Sequence, residues 1–250
     1  MRIAALYDIH GNLPALESVL AEVRKIGVDL IVIGGDVVPG PFPLETLSLL
    51  LEIDIPTQFI FGNCEVAVLE QMAGKEPSAM PEQQRPIIRW TAQKLAGFRQ
   101  RLAAWPKTIR MQVPGVGNVM FCHATPRNEN EIFTRLTAEE HLLPVFAGLG
   151  ARAVVCGHTH MQFNRKIGST RVVNAGSVGM PFGEPGADWL LLGPDVELRH
   201  TSYDLAQAAD RIRASDYPDA ENFIARSLLK PPAESEILAA FSRVEVGSTP

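Results

Sequence analysis

The chain has few cysteines and no long apolar run, and these absences exclude secreted disulfide scaffolds and membrane-spanning proteins. Its 250 residues contain three widely spaced cysteines, Cys64, Cys122 and Cys156. A secreted disulfide framework would have more cysteines in an even number, so we expect a reducing, cytoplasmic location. No apolar run approaches the roughly 18 residues that a membrane span requires.

The chain also lacks a basic segment, which excludes nucleic acid and anionic membranes as general partners. Its 23 basic residues stand against 28 acidic ones, giving a formal net charge of −5. Without a basic arm it cannot release the counterions that drive general nucleic-acid binding. A hydrophobic fraction of 46% predicts one globular domain over residues 1–250. The pattern does not indicate an oligomeric state.

Apolar segments rich in β-branched residues alternate with helical patterns at the start of the chain. Residues 3–7, 30–33 and 57–61 are predicted strands. Between the first two, apolar residues repeat at spacings of three and four, and Asn12 and Gly27 are suited to begin and end a helix there. This order predicts parallel strand pairing in an α/β fold, with helices on both faces of the sheet.

Two helical segments depart from this alternation. Residues 64–106 form a predicted helical insertion, in which Ile88, Leu95 and Trp105 belong to one long amphipathic repeat. Residues from about 203 to 250 form a helical C-terminal appendage of three short helices. Between them, short strands predict an antiparallel meander over residues 163–167, 171–174, 189–192 and 196–200. We expect substrate specificity to lie in the two helical segments, although neither carries a motif that identifies a substrate.

Side chains able to bind a metal follow five predicted strands at the point where each strand ends. In an open α/β sheet ligands gather at the carboxyl ends of the strands, so these side chains are expected to share one crevice. Asp8-x-His10 and His158-x-His160 have a spacing of two, which in extended backbone puts both side chains on one side. One such pair alone is typical of turns and helix caps, but seven buried polar groups together would be costly without a metal. The predicted metal ligands are Asp8, His10, Asp36, Asn63, His123, His158 and His160.

Seven candidate ligands exceed the three or four that one catalytic ion takes, so the sequence predicts two divalent ions. Carboxylate, imidazole and amide ligands favour Mn²⁺, with Fe, Ni or Zn²⁺ as alternatives. Asp36, a lone acid after a central strand, is the candidate bridging ligand. Two ions lower the pKa of a shared water towards roughly 7 and bind phosphate oxygens. The expected reaction is therefore hydrolysis of a small phosphate ester by a metal-bound hydroxide.

Five short motifs, in order and in spacing, resemble the calcineurin-like metallophosphoesterase pattern: Asp8-x-His10, Gly35-Asp36, Gly62-Asn63-x-Glu65, Cys122-His123 and Gly157-His158-x-His160. The later segment Asn174-Ala175-Gly176-Ser177 is similar to an N-P-G-S loop of that family, with Ala175 where proline is usual. The resemblance covers about residues 1 to 200. In its compact length the chain resembles the small bacterial and archaeal phosphodiesterase branch.

This resemblance implies a four-layer α/β/β/α sandwich with two facing mixed sheets. It assigns Asp8, His10, Asp36 and His160 to the first ion, and Asp36, Asn63, His123 and His158 to the second. The catalytic residues it implies are Asp36, Asn63, Cys64 and His123. Asn63 is also a candidate for substrate binding, as is Asn12, whose other interpretation is a helix cap.

Cys64 departs from the family pattern, which often has at this position a histidine that protonates the leaving alkoxide. A thiol can donate a proton, but beside two cations it can ionise and lose that ability. We therefore expect reduced activity on substrates with poor leaving groups. Two alternatives to a phosphodiesterase stay open: a phosphoprotein phosphatase, and a catalytically degenerate scaffold that binds protein partners.

Overall fold

The computed structural model describes residues 1–77 and 80–247, which form two five-stranded mixed sheets with helices. Residues 78–79 of the predicted insertion and residues 248–250 of the predicted appendage lie outside the described residues. The strands are β1 (Ile3–Leu6), β2 (Leu30–Ile33), β3 (Thr57–Phe59), β4 (Thr108–Val113), β5 (Gly117–Cys122), β6 (Ala153–Cys156), β7 (Phe163–Ile167), β8 (Thr170–Asn174), β9 (Ala187–Leu192) and β10 (Val196–Thr201).

Both sheets combine parallel and antiparallel pairs, with three parallel strands in each. The first sheet has the order β10-β9-β1-β2-β3, with β1, β2 and β3 parallel as predicted. The second has the order β4-β5-β6-β8-β7, with β5, β6 and β8 parallel. The expected single meander is wrong: β7 pairs antiparallel with β8 in the second sheet, whereas β9 and β10 pair antiparallel in the first. The chain changes sheet between β8 and β9 because β9 completes the first sheet beside β1.

The described helices are α1 (Leu13–Ile26), α2 (Pro43–Glu52), α3 (Asn63–Met72), α4 (Arg85–Lys94), α5 (Arg99–Ala103), α6 (Glu139–Phe146), α7 (Leu205–Arg213), α8 (Ala220–Phe223) and α9 (Glu234–Phe241). Helix α1 begins and ends as predicted: Asn12 caps it, Pro14 lies in its first turn, and Gly27 closes it at a φ of 69°. Helix α8 continues as a π-helical turn over Ile224–Leu229. Among the described residues, no helix combines the length and the apolar character needed to cross a membrane.

The two sheets pack face to face and carry helices on their outer faces. In β1, Ile3 and Ala5 belong to the core between the sheets, together with Phe121 of β5. Because side chains alternate along a strand, Ala4 and Leu6 face the helices instead. The predicted four-layer α/β/β/α sandwich is confirmed. The expectation of helices on both faces of one sheet is wrong, because the second sheet covers the inner face.

The helical insertion is broken where one long helix is expected. Helix α4 ends at Lys94, a 3₁₀ turn follows over Ala96–Phe98, and α5 resumes at Arg99. Leu95 and Trp105 nevertheless both pack in the outer core of the first sheet. The amphipathic repeat therefore indicates the buried side of the segment correctly and misses the break in its axis.

The C-terminal helices form a cluster of their own at one end of the sandwich. Ile212, Tyr217 and Phe223 lie in its core, and Trp90 of the insertion and Met180 pack against it. The appendage is therefore joined to the insertion through apolar contacts. The division into a single domain with an insertion and an appendage stays a prediction. All three cysteines are buried and form no disulfide; the cytoplasmic location also stays a prediction.

Candidate metal centre

The seven predicted ligands lie together at the carboxyl ends of β1, β2, β3, β5 and β6. Ligand atoms of Asp8, His10 and His160 lie within 4.8 Å of one another, as do those of Asp8, Asp36 and His123. The Oδ1 of Asn63, the first residue of α3, is 3.0 Å from the Nε2 of His123. The ring of His158 packs against the ring of His123, with a centroid distance of 5.1 Å. Residues more than 150 positions apart in sequence thus share one crevice.

Strained backbone conformations hold five of these residues in place. Among the described residues, the non-glycine residues with a positive φ, between 48° and 66°, are Asp8, His10, Asp36, His158 and His160. This conformation costs about 1 kcal/mol or more at a residue with a side chain and is concentrated at functional sites. The explanation through extended backbone is therefore wrong: turns in left-handed conformation, not strand alternation, direct the pairs into the crevice.

Two glycines of the sequence motifs are required by close contacts with the carboxylates. A Cβ at Gly62 would lie 2.1 Å from the Oδ1 of Asp36, and one at Gly157 would lie 2.3 Å from the Oδ2 of Asp8. The backbone thus approaches both acids more closely than a side chain would allow. It also donates to them: the N–H of Cys64 bonds Asp36 Oδ1 at 2.9 Å, and that of His158 bonds Asp8 Oδ2 at 2.7 Å.

Two histidines have their proton positions fixed by backbone carbonyls. The Nδ1 of His123 lies 2.9 Å from the Gly34 oxygen, and the Nδ1 of His160 lies 2.9 Å from the Met180 oxygen. A carbonyl only accepts, so each Nδ1 carries a hydrogen and each Nε2 is left to face the carboxylates. This is the arrangement of metal-ligating histidines, whose second nitrogen is held by a backbone oxygen or a carboxylate.

The Oδ1 of Asp8 is buried and has no hydrogen-bond partner. It lies 3.4 Å from the Nε2 of His160 and 3.8 Å from that of His123. Burial works to raise the pKa of the Asp8 carboxyl, but His160 and His123 outweigh it and lower that pKa. Burial works to lower the pKa values of both histidines, and the facing carboxylates raise them above their ordinary value. The centre therefore favours positive charge between these groups.

The pKa values of the other two candidate histidine ligands, His10 and His158, are lowered instead of raised. Burial and the neighbouring His160 lower the pKa of His10 to about 4, and burial and His123 lower that of His158 to about 4. Their neutral imidazoles keep lone pairs for coordination at neutral pH. The Nε2 atoms of His10 and His160 are 3.1 Å apart, a separation that a shared proton or a cation between them would stabilise.

Asp36 faces both groups of ligands. Its Oδ2 is 3.9 Å from the Nε2 of His10, and its Oδ1 is 3.6 Å from the Nε2 of His123. Asp8 likewise belongs to both groups of clustered ligand atoms. The position of Asp36 suits the bridging role predicted for it, and the structure adds Asp8 as a second carboxylate between the two sets.

Glu65 is a buried residue of the site that the predicted site residues omit. Its carboxylate accepts the backbone N–H groups of Gly62 at 2.7 Å, Asp36 at 2.8 Å and Val38 at 3.3 Å. It thereby ties the loop after β2 to the start of α3. Burial and the charge of Asp36 raise its pKa to about 7. The signal in the sequence was the acid in Gly62-Asn63-x-Glu65.

The Asn174–Ser177 segment supports the loop after β1 in a similar way. The Ser177 hydroxyl donates to the backbone oxygen of Asp8 at 2.7 Å and accepts from the N–H of Met180 at 2.8 Å. The Asn174 amide donates to the oxygen of Gly157 at 2.7 Å. The motif that follows the last predicted ligand thus stabilises the loops that carry Asp8 and His158.

Cys64 and Asn12 have different surroundings. The Cys64 sulfur lies within 4.8 Å of ligand atoms of His10 and Asp36, and burial together with Asp36 raises the pKa of its thiol well above the ordinary value. Asn12 is buried: its Oδ1 accepts from Ala15, and its amide donates to the Gly179 oxygen and the Tyr203 hydroxyl. The bond from Ala15 is that of a helix cap, the other two hold Asn12 to distant parts of the chain, and the substrate-binding role of Asn12 stays a prediction.

Comparison with known proteins finds one family and relatives of similar length. Residues 1–193 match the model of the calcineurin-like phosphoesterase superfamily domain. An uncharacterized protein of Methanocaldococcus jannaschii is 27% identical over 242 residues, covering 87% of this chain and 94% of the relative. A metallophosphoesterase structure from Sphaerobacter thermophilus has a TM-score of 0.68 at 26% identity, covering 90% of this chain and 97% of that one. A hypothetical protein of Pyrococcus horikoshii has a TM-score of 0.77 at 19% identity, covering 93% and 99%, which shows a common fold.

Proposed function

The chain belongs to the calcineurin-like phosphoesterase superfamily, and on that basis we propose that it hydrolyses phosphate esters, diesters above all, with two divalent ions in the crevice. The proposed ligands of the first ion are Asp8, His10, Asp36 and His160, and those of the second are Asp36, Asn63, His123 and His158. Mn²⁺ is the first candidate, with Fe, Ni or Zn²⁺ as alternatives, because the ligands are carboxylates, imidazoles and an amide.

One observation carries this proposal: the buried Asp8 Oδ1 without a hydrogen-bond partner, faced by imidazole nitrogens at 3.4 and 3.8 Å. A buried acceptor left unpaired costs about 1–3 kcal/mol. With their Nδ1 atoms bonded to carbonyls, His123 and His160 direct their Nε2 atoms into the same space, where a metal ion would take the place of the Nε2 protons. A cation there satisfies all three groups at once, so the residues fit a metal ion.

The role that we propose for each residue follows from its contacts. When bound, two divalent ions supply a water of low pKa and positive charge for the phosphate oxygens. Asp8 and Asp36 would balance the charge of the ions. Asn63, whose Oδ1 contacts the Nε2 of His123, would bind either an ion or a substrate oxygen. The Cys64 thiol holds its proton in the metal-free protein and is close enough to the centre to offer it to a leaving group.

Metal dependence is the direct test of this function. We expect the metal-free protein to take up two Mn²⁺ per chain by elemental analysis and to hydrolyse bis(p-nitrophenyl) phosphate, and a chelator to abolish this activity. Asp8→Asn should reduce kcat/KM by about 100-fold or more, whereas the matched change Asp54→Asn, at an exposed carboxylate, should leave it unchanged. Hydrolysis that persists in chelator, or none with any of the four metals, would contradict the proposal, and the second result would favour the scaffold.

The role of Cys64 is tested by restoring the family's usual histidine. We expect Cys64→His to raise the rate on alkyl diesters, whose leaving groups need a proton, and to change the rate on p-nitrophenyl diesters little. Cys64→Ala should lower only the alkyl rate. Equal effects on both substrate types would show that the side chain acts on the metal centre and not on the leaving group. Preferential release of phosphate from a phosphoserine peptide would instead favour a phosphoprotein phosphatase.

A further inference from the structure

The crevice opens into a cavity of about 520 Å³ whose outer wall comes from the two segments without a motif, together with Met180 and Phe182 of the loop between β8 and β9. The insertion contributes Gln83 and Ile87, and the appendage contributes Tyr217, Phe223 and Phe241. His10, Asp36, His158 and His160 line the same cavity, so the wall faces the proposed metal centre directly. The volume is typical of sites that enclose a small molecule.

Aromatic rings form much of this wall, and neighbouring rings hold them. Phe182 stacks on His160, with a centroid distance of 5.5 Å and an interplanar angle of 23°. Tyr217 is buried and lies edge-on to Trp90 at 5.5 Å and to Phe223 at 6.0 Å. Rings fixed in this way offer flat apolar surfaces without a large cost in side-chain entropy, which suits a planar group of the ligand.

The charges of the wall exclude a second anion. None of the described residues that line the cavity is a lysine or an arginine, and the outer wall carries one carboxylate, Asp219. The amide of Asn222 donates to that carboxylate at 2.9 Å. The other polar groups of the wall are neutral: Gln83, Gln84, Ser227 and the hydroxyl of Tyr217. A second phosphate on the substrate would find no cation there and would face Asp219, whereas neutral hydrogen-bonding groups find amide partners.

We propose that this cavity binds the esterified group of the substrate, and that this group is uncharged and carries a planar aromatic or heteroaromatic ring with hydrogen-bonding edges. The inference rests on the proposed function for the position of the phosphate at the metal centre. It assigns substrate selection to the helical wall: the ring lies among Phe182, Tyr217 and Phe241, and Asp219 rejects esters with a second anionic group.

Three diesters that share one small aliphatic leaving group, trifluoroethanol, test this selection, because a p-nitrophenyl group would itself offer the cavity a planar ring. Their second esterified group is ethanol, thymidine through its 5′ oxygen, or the same thymidine with a 3′-phosphate. We expect kcat/KM for the thymidine ester to exceed that for the ethyl ester at least about fivefold, as stacking of one base on an aromatic side chain predicts. The 3′-phosphate should remove this advantage. Equal rates for all three esters would overturn the inference and leave the proposed function intact.

Two substitutions separate the ring contacts from the charge. Phe241→Leu, which keeps an apolar side chain and removes the ring, should reduce the preference for thymidine over ethyl; Leu229→Ala, at an exposed position of the neighbouring turn, is its control. Asp219→Lys should raise kcat/KM for the 3′-phosphorylated ester at least about tenfold. Glu221→Lys makes the same change of charge two residues away and outside the lining, so an equal gain there would show only a general field effect and would contradict the role of Asp219.

A binding measurement keeps the inference testable even if no ester is hydrolysed. By calorimetry on the Mn²⁺-treated protein, thymidine 5′-phosphate should bind more tightly than ethyl phosphate, and Phe241→Leu should diminish the difference. If hydrolysis is absent but this difference is found, the proposed function fails and the cavity assignment stands. If the two phosphates bind alike, the cavity assignment fails whatever the activity.

Discussion

The crevice and its helical wall are built by opposite means. In the crevice, left-handed backbone turns and buried hydrogen bonds fix each polar side chain, and three N–H groups converge on Glu65 alone. In the wall, apolar side chains such as Tyr217 and Phe223 pack against one another, and exposed ion pairs such as Arg213–Glu221 lie beside the lining. Exposed pairs of this kind contribute little to stability. The reacting centre therefore depends on particular residues at particular positions, whereas the wall can change composition and so change the substrate.

The two regions should differ most in their response to one and the same substitution, made as Glu65→Gln in the crevice and as Glu221→Gln beside the wall. A glutamine at position 65 has one oxygen where the carboxylate has two, and its NH₂ group would face a backbone N–H. We expect metal affinity to fall about 10- to 100-fold and the free energy of unfolding to fall by about 1–3 kcal/mol. Competition with a metal-sensitive dye and urea unfolding measure the two effects. Glu221→Gln should change neither, and comparable effects at both positions would contradict the difference between the two regions.

The helix caps provide a second pair, Asn12→Asp beside the crevice and Asp204→Asn at the start of α7. Aspartate at position 12 keeps the acceptor for the Ala15 N–H but loses the donations to Gly179 and Tyr203 inside the protein. The free energy of unfolding should fall by about 1–3 kcal/mol, with kcat/KM of the metal-loaded protein unchanged. Asp204→Asn keeps its exposed cap oxygen and should have little effect. A raised KM for Asn12→Asp without loss of stability would instead support substrate binding by Asn12.

The smallest expected effect is a pH dependence of the metal-free protein. The pKa of His158 is about 4 in the folded protein against an ordinary histidine value of 6.5, so the unfolded chain takes up the proton first. The stability it contributes is complete above pH 6.5 and is lost as the pH falls towards 4. Between pH 7 and pH 6, urea unfolding in chelator should show a loss from this group of under about 1 kcal/mol. His158→Gln should remove that loss, and His141→Gln, at an exposed position, should keep it.

The convergence of the seven candidate ligands in one crevice could be predicted from the sequence because residue types suited to metal binding follow the ends of the strands. Asp8, Asp36 and His123 each follow an apolar strand, and few residue types serve as metal ligands. The local geometry could not be predicted, since nothing in Asp8-x-His10 distinguishes a left-handed turn from extended chain. The loop contacts across the crevice decide between the two conformations, and those contacts exist only after the sheets have formed.

The wall could not be predicted for a different physical reason. Tyr217 lies in the loop between α7 and α8, and Phe223 and Phe241 end short helices. Each of these large side chains is equally suited to a core position. Which of them lines a cavity depends on how the insertion and the appendage meet, as in the contact between Trp90 and Tyr217. Long-range packing of this kind leaves no periodic signal. For the same reason the break between α4 and α5 was missed.

Because Trp90 contacts Tyr217, the intrinsic fluorescence of the protein can report on the cavity. Of the three tryptophans, Trp105 stacks on Phe59 and the buried Trp189 bonds Thr201, whereas Trp90 touches a ring that lines the cavity. A ligand that packs against Tyr217 would alter the surroundings of Trp90 more than those of Trp105 and Trp189. Intrinsic emission can therefore follow the filling of the cavity in real time, without a label and without turnover.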